Sequence, residues 1–361
     1  MAVSGEKRQR KNNRVTLEDI AHYCDVSKAT VSRVLNGHLN EFPVSEAMIQ
    51  RVKGAAERLG YRPNRLARAI RNQRTSLIGL SFIHVDPHER SEDQISFDSH
   101  VMGDISNSII SHPDFKDYDL VLHDRVESAD HPSQEGDFKS DLFEGMIYLT
   151  PTEGHREFLD VASSEFPIVL LGLIDGAEKK VPCIDINNRT MATRAVNHLI
   201  ETGRKNILML VPEKLQHVCC IQDRINGYHD ALKENNIPES TEFLRTVRSL
   251  EENVAAFFSD LRCLDEIDGI FCPTDELAAL CIPTLKEMGK KIPEDIAIMG
   301  FNDLPIARHT NPPLSTVRRP AVQQGRAAID LLLKILNKEV PYEPGFHEIE
   351  TELVIRESTR K

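Results

Sequence analysis

VTLEDIAHYCDVSKATVSRVLNG, residues 15–37, places two short apolar periodicities on either side of a break. Thr16 is an N-cap residue with Asp19 three positions on, and Leu17, Ile20 and Ala21 fall on one face at helical spacing. Cys24-Asp25-Val26 has room only for a turn. Ser27 caps a second helix whose Val31, Val34 and Leu35 face inward and which stops at Asn36-Gly37. Beyond the Phe42-Pro43 loop, Ser45 caps a third helix with Ile49, Val52, Ala56 and Leu59 on one side, ended by Gly60. Two short helices joined by a tight turn read as a helix-turn-helix. The pattern turns Lys28, Ala29 and Arg33 outward.

Charge separates this segment from the rest. The 361 residues carry a net charge of −12, but residues 1–74 hold fifteen Lys/Arg against seven Asp/Glu, a surplus of eight positive charges. The remainder has 29 bases and 49 acids, a balance of −20. A basic module on an acidic body implies a polyanionic partner bound at one end only. Residues 1–14, with Lys7, Arg8, Arg10, Lys11 and Arg14, read as a disordered basic tail. No apolar h-region opens the chain and no apolar run reaches the ~18–20 residues of a membrane span. Seven cysteines without tight pairing spacing fit reduced thiols. A cytosolic protein is expected, with no membrane partner.

Residues 62–74 are polar and basic, with Leu66, Ala67 and Ile70 spaced i, i+1, i+4. The segment is too short for a stable isolated helix and reads as a linker that folds on a partner. From residue 76 apolar runs recur at Leu77–Phe82, Leu120–Leu122, Gly145–Leu149, Ile168–Leu171, Ile207–Val211, Gly269–Cys272 and Ile296–Met299, with helical stretches at 190–202, 224–235, 276–288 and 321–336. Buried strands alternating with helices imply doubly wound parallel sheets. So long a stretch exceeds one sheet, and two α/β lobes enclosing a cleft are expected. The chain therefore divides into a headpiece (1–61), a linker (62–74) and a two-lobed domain (75–361).

The opening stretch, followed by YRPNRLARAI, resembles the lactose-repressor (LacI/GalR) family. Further matches are NHLIETGRKNI at 197–207, DRINGYHDAL at 223–232, IPEDIAIMGFNDLPIA at 292–307, PPLSTVRRP at 312–320 and VIREST at 354–359. Together and in order they span essentially the whole chain. The resemblance implies an all-α helix-turn-helix headpiece on a periplasmic-binding-protein-like α/β domain. It also implies a transcription regulator, expected to be a repressor, whose operator binding answers to a small molecule, a sugar or sugar derivative.

On that resemblance Lys28 and Ala29 hold positions that vary with operator sequence, and Arg33 reads guanine, whose O6 and N7 suit a guanidinium fork. Ser27, Thr30 and Ser32 are expected to fix register through phosphates, and Thr16 and Asn36 belong to the same expected DNA-binding set. Residues 63–71 resemble the family's hinge helix, which lies in the minor groove. There Asn64, Arg65 and Arg68 supply contacts and Ile70 stands at the wedge position where Leu is usual. The Arg of RxxGY, here Arg224 with Gly227 and Tyr228, is expected to bond the effector. Asn302 stands where an acidic acceptor is common, and Phe301 offers a flat face. Thr274, Arg319 and Tyr148 complete the effector set, and Asp275 reads as the cap of the helix after it. Two arginines lean toward an anionic or strongly hydroxylated ligand. Only Arg360 and Lys361 follow VIREST, which leaves no leucine heptad for a tetramer, so a homodimer is expected.

The same residues argue against other classes. There is no GxSxG elbow, P-loop, GxGxxG or HExxH, so no enzyme, cofactor or metal is expected. His84, Asp86, His88 and Glu89 lie in the polar stretch 84–99, which reads as a solvated loop bordering the cleft. A solute receptor of the same two-lobed fold, and a regulator that activates or needs a co-repressor, stay open as alternatives.

Overall fold

The computed structural model describes residues 15–36, 44–61, 74–84, 99–126, 142–149, 166–238, 243–247 and 251–360, together with Leu159 and Ala162. It divides into two compact units, Met1–Thr75 and Ser76–Lys361.

In the first unit, α1 (Leu17–Cys24), α2 (Lys28–Asn36) and α3 (Glu46–Leu59) close around one small core. Thr16 and Asp19 form a reciprocal capping box: the Thr16 Oγ1 accepts from the Asp19 amide, and the Asp19 carboxylate accepts from the Thr16 amide at 2.7 Å. Asp25 turns the chain in the left-handed region at φ 47°, and the Val26 amide reaches back to the Ala21 carbonyl. Ser27 Oγ accepts from the Thr30 amide at 3.1 Å, capping α2. Ile20, Cys24, Val31, Val34, Val52 and Ala55 are buried between the three helices. Ser45 departs from expectation. It stands at the N-cap in extended backbone, but its hydroxyl makes no capping bond, and its carbonyl accepts from the Met48 and Ile49 amides instead.

The second unit contains two six-stranded sheets. The strands are β1 (Leu77–His84), β2 (Asp119–Val126), β3 (Gly145–Leu149), β4 (Ile168–Leu171), β5 (Pro182–Asp185), β6 (Ile207–Pro212), β7 (Leu244–Val247), β8 (Gly269–Phe271), β9 (Ala297–Asn302), β10 (Ser315–Arg318), β11 (Gly345–Glu348) and β12 (Leu353–Val354). The first sheet runs β11-β5-β4-β3-β1-β2, entirely parallel, with Leu80 beside Ile147 and Leu122. The second runs β12-β10-β9-β8-β6-β7, parallel but for β12 against β10. Central strands are buried along their whole length, as strands covered on both faces must be.

The helices of this unit are α4 (Ser99–Ile110), α5 (Asn188–Glu201), α6 (Cys219–Glu234), α7 (Glu251–Asp260), α8 (Asp275–Glu287) and α9 (Ala321–Leu336). The closest pair is α5 with α6. Gly227 makes that approach possible, since a Cβ there would stand 2.7 Å from the Ala192 Cβ and closer still to the Arg189 carbonyl. Among the described residues the chain passes between the sheets three times: after β5, after β10 and after β11. Each sheet reverses its strand order once, between β1 and β3 and between β6 and β8. In open α/β sheets ligands sit outside the carboxyl ends of strands at such points.

Candidate functional site

On the headpiece, α2 separates its faces cleanly. Val31 and Val34 are buried, whereas Ser27, Lys28 and Ala29 are exposed and Thr30, Ser32 and Arg33 are half-exposed on the outer side. Lys28 keeps 60% of its side chain exposed while pairing with Glu18 at 3.4 Å, a contact of little energetic weight at the surface. The first turn thus presents a base, a small residue and hydroxyls, and Arg33 follows one turn later on the same flank. Thr16 is exposed at the start of α1. Asn36 ends α2. Asn64, Arg65, Arg68 and Ile70 lie outside the described residues.

In the two-lobed unit the centre of interest is Arg224, which α6 carries into the interior at 1% exposure. Its guanidinium lies over the Phe301 ring, 3.6 Å from the centroid. Nη1 donates to the Pro273 carbonyl at 2.6 Å, while Nε and Nη2 both donate to Asn188 Oδ1 at 3.1 and 3.0 Å. Three of the five guanidinium N–H groups are thereby engaged and two are left over.

Asn188 continues the network. Its Nδ2 donates to Asp185 Oδ2 at 2.9 Å, at the carboxyl end of β5 in the other sheet. Asp185 Oδ1 accepts from the Ile186 amide and from Gln324 Nε2, both at 2.8 Å, and Gln324 Oε1 in turn accepts from Arg319 Nε at 3.1 Å. A continuous chain of hydrogen bonds thus joins Arg224 to Arg319 through Asn188, Asp185 and Gln324. Asp185 stands at the hinge between β5 and α5.

Three polar atoms at this place are buried with no hydrogen-bond partner among the described residues: Arg319 Nη1 and both Asn302 Nδ2 and Oδ1. Asn302 ends β9 with φ at 115°, a conformation that side chains other than glycine adopt at a cost. Unmatched buried polar atoms and a strained backbone at the carboxyl end of a parallel strand make this the candidate ligand site.

Thr274 and Asp275 serve the frame. Thr274 Oγ1 caps α8 by accepting from the Leu277 amide at 3.3 Å, the role the sequence assigns to Asp275. Asp275 instead accepts from Thr316 Oγ1 at 2.5 Å and the Leu304 amide at 2.7 Å, tying α8 to β10 and the turn after β9. Asp303 pairs with Arg318 and Arg356 and fastens the C-terminal segment. Tyr148 is fully buried on β3, in an apolar cluster with Phe143, Met146 and Leu170 on which Cys219 of α6 also packs.

The charges explain one another. Burial pushes the Asp185 carboxyl up, opposed by Arg319, the Ile186 amide and Arg224. Asp223, one residue before Arg224, is raised to about 6 by burial and by Asp185, against the pull of Arg224 and Arg189. Asp275 is raised to about 6 by burial, opposed by its bonds to Thr316 and Leu304. Burial lowers Arg224, yet a guanidinium so bonded stays charged.

The structure therefore brings Arg224, Phe301, Asn302 and Arg319 together, holds Thr274 in a cap, and seats Tyr148 in an apolar cluster. Sequence reasoning missed Asp185, Asn188 and Gln324. DINN at 185–188, where polar residues follow an apolar strand into a helix start, points only to a turn, and nothing in the sequence links Asp185, Asn188 or Gln324 to the site. Among the described residues no helix is long and apolar enough to cross a membrane, and no group of three or more His, Cys, Asp or Glu is placed to hold a metal ion; Asp86, His88 and Glu89 lie outside them.

Comparison with known proteins agrees with both units. Residues 16–64 match the family model for bacterial regulatory proteins of the lacI family, and residues 196–359 match that of the periplasmic binding protein-like domain. The chain is 29% identical to the HTH-type transcriptional repressor CytR of Escherichia coli K12, over 98% of this chain and 99% of that one. It superimposes on the transcriptional regulator CelR in complex with cellobiose at a TM-score of 0.67 and 27% identity, covering 96% of this chain and 100% of that one. On the Lac repressor dimer bound to operator and an anti-inducer the TM-score is 0.77 at 22% identity, covering 96% and 99%, a likeness of fold. With a helix-turn-helix headpiece and a doubly wound, two-lobed body, the chain is a member of the LacI family of DNA-binding transcriptional regulators.

Proposed function

We propose that the protein is a cytoplasmic, homodimeric repressor whose hold on a near-palindromic operator is set by a sugar or sugar derivative taken up between its two α/β lobes. One observation carries this reading: Arg224, buried over Phe301, lies in one network with Arg319 and beside Asn302, whose buried polar atoms have nothing to bond. A flat apolar ring with fixed donors beside it suits a sugar. The CelR structure holds cellobiose, which supports the same ligand class here. The ligand set is Arg224, Phe301, Asn302 and Arg319, with Thr274 and Tyr148 as supporting wall. On the DNA side Lys28, Ala29 and Arg33 read bases, while Thr16, Ser27, Thr30, Ser32 and Asn36 position the headpiece on phosphates. Asn64, Arg65, Arg68 and Ile70 act in the minor groove from the 62–74 linker. Headpiece 1–61 and body 75–361 are the working domains.

The experiment is operator shift with the full chain and with residues 1–74 deleted, beside a thermal-shift screen of sugars on both. Operator binding lost on deletion, with sugar stabilisation kept, supports the reading, because a ligand that binds only the folded body raises its apparent stability. Operator binding that survives the deletion contradicts it.

A further inference from the structure

Arg224 and Arg319 taken alone suggest an anionic ligand. Around them lie two carboxylates that the sequence does not connect with the site. Asp185 is 3% exposed and accepts three N–H bonds, from Ile186, Asn188 and Gln324, which suit its ionised form. Arg319 is the strongest charge acting on it and Arg224 the next. Asp223, half-buried on α6, acts on Asp185 and lies within electrostatic reach of Arg224 and Arg189. Arg189 is bonded to Asp230 through two nitrogens, at 2.5 and 2.8 Å, which occupies much of its charge. Buried Asp275 also acts on Arg224, so the two buried cations face Asp185, Asp223 and Asp275.

From this we infer that Asp185 and Asp223 are specificity-determining residues that balance the charge of Arg224 and Arg319, so that the cleft accepts an uncharged polyhydroxyl ligand and rejects its phosphorylated or carboxylated counterpart. The inference rests on the ligand site proposed above and sharpens it. The bonding groups left over agree independently. Among the described residues Arg319 Nη1 and the two N–H groups of Arg224 outside its three bonds can only donate, while Asn302 offers both an acceptor in Oδ1 and donors in Nδ2. Hydroxyls, which both donate and accept, satisfy such a mixture. A carboxylate or a fully ionised phosphate group only accepts and cannot match Asn302 Oδ1, and either brings negative charge against Asp185 and Asp223 in a medium of low dielectric.

The test uses the full-length protein and inorganic phosphate, compared with chloride at equal ionic strength, read as thermal stabilisation and by calorimetric titration. Wild type should show no phosphate-specific stabilisation that depends on Arg319. Asp223→Asn, and more strongly Asp185→Asn combined with Asp223→Asn, should gain a saturable response that Arg319→Ala removes. In parallel, ribose is compared with ribose 5-phosphate, and glucose with glucose 6-phosphate and glucuronate. For any neutral sugar whose binding Arg224→Ala abolishes, the charged counterpart should bind roughly tenfold or more weaker to wild type. Asp223→Asn, which alters a half-exposed group and leaves the buried network intact, should narrow that ratio. Phosphate binding by wild type that needs Arg319, a charged sugar that binds as tightly as its neutral parent, or no gain of phosphate binding in folded variants overturns the inference. Failure of every sugar, with the phosphate results as expected, counts against the sugar reading while the charge balance stands.

Discussion

In the headpiece, the side chains offered to a partner stand outside a finished apolar core: Lys28 and Ala29 are exposed, while Val31 and Val34 behind them are sealed. In the two-lobed body the corresponding side chains are among the most deeply buried in the molecule, Arg224 at 1% and Asn302 at 3%. DNA approaches from outside and is read by whatever an amphipathic helix leaves uncovered. A small ligand is enclosed, so its partners must sit inside and be held by other polar groups until it arrives. Removing a headpiece contact therefore alters recognition with little effect on folding, and removing a body contact disturbs both.

That contrast predicts its own largest effect at Gly227. Replacing it with alanine forces α6 away from α5, because the new methyl meets the Arg189 carbonyl and the Ala192 side chain. Overpacking of this kind costs about 1–3 kcal/mol or more. Calorimetry should show the body melting at lower temperature, with sugar affinity weakened because Arg224 lies one turn before on the same helix. Unchanged melting would mean the two helices are not in contact.

Arg33→Ala sharpens the other side. It should cost roughly 1–3 kcal/mol of discrimination at one guanine per half-site, with no change in melting. Operator and random DNA compared at fixed salt will show it. Equal weakening on both would reduce Arg33 to a phosphate contact. Thr16→Ala removes both hydroxyl bonds to Asp19 but keeps the backbone amide's bond to the Asp19 carboxylate, and should destabilise the headpiece by about 1 kcal/mol, leaving sugar affinity untouched.

The two units also respond to acid with opposite sign. Asp19, lowered by its bonds to Thr16, stabilises the headpiece above the ordinary carboxylate range and loses that contribution as pH falls. Asp223 and Asp275 are raised to about 6, so the folded body holds protons that the unfolded chain releases near 4. Their ionisation makes body stability fall as pH rises from about 4 to about 6. Asp223→Asn should flatten part of that slope in thermal denaturation across this window and leave the headpiece transition alone. An unchanged slope would show that Asp223 is not held against Asp185.

The same contrast accounts for what the sequence disclosed. The helix-turn-helix was legible because cap, turn and apolar stripe lie within consecutive residues. The strands β3 and β4 were legible as unbroken apolar runs. β10 was not: Ser315 and Thr316 look like loop residues, and they are buried only because Asp275, Ser358 and Thr359 bond their hydroxyls and amide from distant parts of the chain. β7 escaped because it is an edge strand with Arg245 and Thr246 exposed. In α4 the buried Val101, Ile105 and Ile109 keep helical spacing, but glycine, serine and asparagine between them are poor helix formers. Arg224, Phe301 and Asn302, which the family's motifs single out, lie together in the structure. Asp185, Asn188 and Gln324 are not singled out, because what they do appears only where two sheets and a returning helix converge.

The most direct test of the central claim, that a ligand in the body governs the headpiece, is operator affinity at fixed salt for wild type and Arg224→Ala, each with and without a sugar shown to bind the body. Without sugar the two proteins should bind operator alike, since Arg224 is buried in the body. With sugar the wild-type affinity should shift and the variant's should not, as linkage between two sites requires. A variant that still responds fully at the wild-type sugar concentration would contradict the account.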